Sequence, residues 1–81
     1  MDNKERYKDI FIRVFGVDGN ELGEEFTFDN IEAWDSMTHL VLIDELEAEF
    51  DIMFDTEDIL HFGGYLNGQK ILMKYGVEME S

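Results

Sequence analysis

The sequence predicts an all-α domain: a four-helix bundle of three main helices and one short helix, with a long first loop. Three observations lead there. Apolar residues recur at spacings of three and four in three stretches, as they do in helices with one inward face. Glycines stand just past two of these stretches, at Gly16 and Gly76, where left-handed backbone ends a helix. The one short alternating stretch, Phe26-Thr27-Phe28, has no evident partner for a sheet. There is no internal repeat and no second domain. Residues 1–81 are read as one domain, folded from about residue 2 to about residue 76, with 77–81 as a frayed tail.

The first helix covers Asp2 to Phe15. Tyr7, Ile10, Phe11, Val14 and Phe15 follow the helical period, and Asp2 or Asn3 supplies the N-cap. Val17 to Ala33 has no sustained period. A loop this long in a small domain is functional or well packed, and Phe26, Phe28 and Ile31 are expected to plug it into the core. Its run Asp18-Gly19-Asn20-Glu21 lacks the alternating acid spacing of a calcium-binding loop.

The clearest helix covers Ser36 to Phe50. His39, Leu42, Ile43, Leu46 and Phe50 gather on one side and are expected to pack inward, with Leu40 at the margin. The opposite side carries Met37, Val41, Asp44 and Ala48, flanked by Glu45 and Glu47. Met37 and Val41 are therefore apolar on the side that should meet water, next to Ser36. Exposed apolar residues grouped this way suggest a partner-binding stripe. After a short extended link, Asp55 or Thr56 caps a brief helix through Leu60, with Glu57 and Asp58 in its electropositive first turn. Gly63-Gly64 breaks the chain. A last helix runs from Tyr65 or Asn67 to Tyr75, and Gly68 on its inner face allows close approach.

Charge and composition narrow the function. The chain has 20 acidic and 6 basic residues, for a formal net charge of -14. No Lys or Arg lies between Val14 and Gln69, while 15 Asp or Glu do. Such a surface repels nucleic acid and attracts a partner with a basic patch. No stretch is long and apolar enough for a membrane span, and the polar N-terminus is unlike a signal peptide. With no cysteine, there is neither a disulfide nor a thiol ligand set. A monomer of the cytoplasm is expected. His39 and His61 form no metal-ligand pattern, and no metal site is expected. His39 follows Ser36 by one helical turn. It lies on the core side, with no oxyanion hole or nucleophile elbow nearby. No self-contained catalysis is expected.

Ser36 remains. With Asp35 as N-cap, it is the first helical residue, and its hydroxyl meets solvent. A phosphate ester there would face unpaired backbone N–H groups and the positive end of the helix dipole. Trp34, just before the cap, can pack on the first turn and fix the entry angle. An ordinary capping or first-turn serine fits these facts equally well.

Asp35-Ser36-Met37, followed by Leu40, Leu42-Ile43, Leu46-Glu47 and Glu49-Phe50, resembles the acyl carrier proteins. Their hallmark is Asp-Ser-Leu, or less often Asp-Ser-Met, opening the second helix of a four-helix bundle. The likeness extends over most of the chain, from the first helix to a final helix with Tyr75. It implies that Ser36 accepts 4'-phosphopantetheine from coenzyme A, through a phosphopantetheinyl transferase. The arm's thiol would carry an acyl or aminoacyl chain as a thioester. It also implies that Asp35, Met37, Val41, Asp44, Glu47 and Ala48 are recognised by basic patches on the transferase and on an activating ligase, synthase or acyltransferase. Asp55, Glu57 and Asp58 would add to that patch.

Thr38, His39 and Val41 stand where carriers of primary fatty acid synthesis usually have acids. Trp34 and His39 are more similar to stand-alone carriers of specialised pathways, such as polyketide, peptide, sugar-acyl or D-alanyl transfer. An aminoacyl, peptidyl or D-alanyl carrier is the alternative within the family. An unmodified acidic adaptor for a basic partner is the alternative outside it. Leu42, Leu46, Ile59, Leu60, Phe62, Ile71 and Leu72 are candidates to line a space for cargo, or simply the core.

Overall fold

The computed structural model describes residues 2–79. It contains four α-helices: α1 (Asn3–Phe15), α2 (Ser36–Phe50), α3 (Thr56–Leu60) and α4 (Tyr65–Lys74). The all-α bundle expected from the periodicity is therefore what forms. One 3-10 turn, Gly19–Glu21, was not anticipated. It gives the first loop a local structure, in which the Glu21 carboxylate accepts the Asp18 N–H at 3.0 Å.

Each main helix ends for a local reason. The Asp2 carboxylate caps α1 by accepting the Glu5 N–H at 2.9 Å, and Gly16 closes it in the left-handed region at φ 66. At the end of α2, Asp51 takes that conformation at φ 54, the one non-glycine residue to do so among those described. An aspartate tolerates this better than most side chains.

The core is aromatic. Tyr7 and Phe11 of α1, Phe26 of the loop, Trp34, Phe62 and Tyr65 of α4 are all buried. Phe11 meets Trp34 and Tyr65 edge to face, with ring centroids 5.8 and 4.9 Å away, a favoured arrangement of ring quadrupoles. Leu42, Ile43 and Leu46 of α2 complete the core. Gly68 is placed here by necessity. A β-carbon at that position would collide with the Phe62 ring and the Tyr7 hydroxyl. That hydroxyl donates to the Tyr65 carbonyl at 2.6 Å, and burial pushes its pKa well up, with Tyr65 adding to the effect.

Charged side chains tie α1 to α2. Arg6 donates to the Glu49 carboxylate and to the Glu49 carbonyl, both at 2.7 Å, and lies over the Phe50 ring. Arg13 pairs with Glu45 at 2.8 Å. The cations of α1 thus neutralise the acids of α2 that face it.

Three expectations are corrected. The alternating stretch does have a partner. Thr27 forms an antiparallel bridge with Gly64; the Phe28 N–H donates to the Gly63 carbonyl, and the Tyr65 N–H to the Phe26 carbonyl. Phe26 plugs the loop into the core as expected, but Phe28 is 42% exposed, its ring lying edge-on to Trp34 and His39 at the margin of the core. The segment after Gly76 does not hang free over its described part, because Val77 and Met79 are buried against the core. The rest of the expected frayed tail, Glu80 and Ser81, lies outside the described residues, as does Met1. No helix among the described residues is long and apolar enough to cross a membrane.

Candidate functional site

Ser36 is the first residue of α2, and its neighbours settle where it points. The Asp35 carboxylate accepts the Thr38 N–H at 2.9 Å, and the Asp35 carbonyl accepts the His39 N–H at 2.8 Å. Asp35 is therefore the cap. Donation from the Thr38 N–H, then from its side chain, holds the Asp35 carboxyl below the ordinary value despite a small opposing effect of desolvation. Ser36 is left exposed, and its hydroxyl is not needed to cap the helix. Its own N–H is one of those a helix start leaves without an intrahelical partner.

Trp34 and His39 fix how the chain enters this helix. They occupy the two positions of a hydrophobic staple, one before the cap and one in the second turn. Here the pair is also hydrogen-bonded. The Trp34 indole N–H donates to His39 Nδ1 at 3.0 Å, and the rings stack with centroids 6.2 Å apart. An indole nitrogen only donates, so Nδ1 must accept. The imidazole proton then sits on Nε2, which donates to the Ile59 carbonyl at 2.7 Å. Both nitrogens of His39 are committed, and neither is aimed at Ser36. The side chain that sequence spacing brings nearest to a general base thus braces α2 against the end of α3.

Beside Ser36 opens a groove of about 490 Å³, within the range of ordinary ligand sites. It lies between the start of α2 and α3. Phe28, His39, Leu40, Ile59 and Leu60 make its apolar walls, with Ser36, Asp29 and Gly63 at its borders. Of the residues considered as a lining for cargo, Ile59 and Leu60 belong to this groove. Leu42, Leu46, Phe62, Ile71 and Leu72 are buried in the core instead. Leu60 is 73% exposed, which a place in the core would not allow. Phe28 and Leu40 were not among the candidates for a cargo lining: Phe28 was expected in the core, and Leu40 at the margin of the inward face of its helix. The one signal was the place of Leu40 off the inward period of its helix.

The outward face of α2 is continuous with this groove. Met37 is 78% exposed and Val41 47%, and Asp35, Asp44 and Ala48 are exposed as well. Glu47 differs from its neighbours. It is half-buried, and its carboxylate accepts the Phe54 N–H at 2.9 Å, holding the link that follows α2. Asp58 is likewise engaged: it pairs with Lys74 at 2.8 Å and accepts from the Tyr75 hydroxyl at 2.5 Å. Lys74, then Tyr75, holds its carboxyl below the ordinary value. Asp55 and Glu57 stay exposed. Thus Asp35 and Asp44 are exposed on the α2 face, Asp35 while capping the helix, and Glu45, Glu47 and Glu49 are engaged with partners elsewhere in the chain.

The chain is 39% identical over 62 residues to the acyl carrier protein of Streptococcus thermophilus, a match that covers 76% of this chain and 82% of that protein. The chain belongs to the acyl carrier protein family. Acyl carrier proteins of Streptococcus pneumoniae and Streptococcus pyogenes match with 36% identity over the same shares of both chains. No family model matches the chain. Acyl carrier proteins are carriers rather than enzymes.

Proposed function

We propose that this protein bears acyl intermediates as thioesters on a 4'-phosphopantetheine arm attached to Ser36, and presents them to partner enzymes. The observation that carries this reading is the exposed Ser36 hydroxyl at the head of α2, released from capping by Asp35 and bordered by an apolar groove. The residues fit the group: an accessible hydroxyl for the phosphodiester, a fixed helix start beneath it, and an apolar surface within reach of the arm. When bound, the arm supplies the thiol that a chain without cysteine lacks.

The chain's own residues supply positioning. Asp35 fixes the backbone of the first turn. Trp34 and His39 fix its direction. Asp35, Met37, Val41, Asp44 and Ala48 offer an acidic and apolar face to a transferase using coenzyme A, and to an activating ligase, synthase or acyltransferase with a basic patch. Glu47 contributes its charge from a fixed, half-buried position. The first turn of α2 contains no acid, which favours a specialised pathway over primary fatty acid synthesis. The use of coenzyme A places the loading reaction in the cytoplasm, where the protein works as a monomer.

Incubation of the apo-protein with coenzyme A and a promiscuous phosphopantetheinyl transferase tests this reading. Wild type should gain one 4'-phosphopantetheine in intact mass, and Ser36→Ala none. If several transferases add no mass to wild type, the carrier reading fails. The acidic adaptor would then be favoured by salt-sensitive binding to a basic partner that Ser36→Ala leaves unchanged.

A further inference from the structure

The groove beside Ser36 has a floor, and His39 is the part of it that faces the core. His39 lines it and is held from two sides, by the Trp34 indole and by the Ile59 carbonyl. Behind it lie buried aromatic side chains. Trp34 is 2% exposed and Phe62 0%, and the Phe62 ring lies edge-on to the imidazole with centroids 6.4 Å apart. The groove's side walls are of another kind. Leu40 is 58% exposed and Leu60 73%, so apolar material laid between them is covered only in part. To pass deeper, a chain would have to displace His39. That would leave the buried Trp34 indole N–H without its partner, reduce the Ile59 carbonyl to a long 3.5 Å bond from the Phe62 N–H, and open a close-packed aromatic core.

We propose that His39 sets the depth of this groove and so limits the cargo. A short acyl group folds back between Leu40 and Leu60, whereas the distal part of a long one stays in solvent instead of entering the core. His39 is a specificity-determining residue in this scheme, acting through its position. It rests on attachment of the arm at Ser36.

The test loads wild type with butyryl, octanoyl or hexadecanoyl cargo from the corresponding acyl-coenzyme A, with intact mass reporting the loading. Failure to load overturns the attachment itself and this inference with it. For the loaded forms, two quantities are read: the rate of thioester cleavage by hydroxylamine, and the amide and indole N–H resonances. Butyryl loading should move the Leu40, Ile59 and Leu60 amides and leave the Trp34 indole N–H in place. Cleavage of the hexadecanoyl form should be no slower than that of the butyryl form. His39→Ala should remove the floor, slow hexadecanoyl cleavage about tenfold and shift the Trp34 resonance on loading. His39→Asn, which keeps a donor and an acceptor in less volume, should fall between.

A wild-type hexadecanoyl thioester that is strongly protected, with the Trp34 indole N–H displaced, would overturn the inference without touching the attachment at Ser36. So would a folded His39→Ala variant with wild-type length dependence. The wild-type series needs no variant, so a failure of His39→Ala to fold leaves the test intact.

Discussion

α1 and α3 are both tied to α2, but by different means. α1 buries Tyr7, Ile10 and Phe11 and adds two arginine–carboxylate pairs. α3 buries no residue at all. It is held at one end by His39 on the Ile59 carbonyl, and elsewhere by Tyr75, whose hydroxyl donates to Asp58 and accepts the Asp55 N–H at 2.8 Å. Apolar burial is non-directional and is lost only when the whole contact opens. A few hydrogen bonds can be released one at a time. The α1 side is therefore built as scaffold. The α3 side, which borders Ser36 and its groove, is built to be adjusted. Weakly held elements are the ones that ligand-linked motions draw upon.

The largest effect should come from the scaffold side. Trp34→Ala removes a buried ring shared by Phe11, Phe15 and Phe26, and should cost about 3–5 kcal/mol in urea unfolding. Gly68→Ala forces a methyl group into Phe62 and the Tyr7 hydroxyl, and should cost about 1–3 kcal/mol. A Gly68→Ala protein as stable as wild type would show that α4 is not packed as closely as described.

On the α3 side the response should be local. Tyr75→Phe should speed amide exchange at Ile59 and His61 and leave exchange in α1 unchanged. Equal acceleration in both helices would erase the distinction between them. The Asp58 carboxyl is lowered by Lys74 and Tyr75, so its tie is fully present above the ordinary carboxylate range and is lost as pH falls through the lowered value. Faster exchange in α3 should therefore appear on acidification, before α1 opens. The Tyr75 hydroxyl has the opposite shift. The Asp55 N–H pulls its pKa down, but the Asp58 carboxylate, together with burial and nearby charge, outweighs it and raises the value.

The smallest effect on stability belongs to Val41→Glu. This exposed position should change unfolding by no more than about 0.5 kcal/mol, yet it should weaken pairing with the protein's own pathway enzyme. Unchanged pairing with a lowered melting temperature would make Val41 structural.

The helices were legible because each of the main ones keeps its period over several turns, and because Asp2, Gly16 and Asp35 are local signals. The rest depended on partners distant in the chain. Nothing near Thr27 says that Gly64 will pair with it. The periodicity of α2 placed His39 inward, but not its bonds to Trp34 and Ile59. It also put Glu47 beside the outward face without showing that the Phe54 N–H would claim its carboxylate. Single apolar residues carry no period, so Leu60 was read among core candidates although it is exposed, and Val77 and Met79 were read as tail although they pack. At the site, Ser36 and Asp35 were legible as residues. The groove beside them needed Phe28, Leu40 and Ile59 from three separate segments.

The most direct measurement is the intact mass of the protein purified from the cells that make it, followed by fragmentation to locate any increment. The predicted result is a population carrying one 4'-phosphopantetheine, with or without an acyl group, on Ser36 alone. A protein found wholly unmodified, or modified at another residue with Ser36 free, would contradict it.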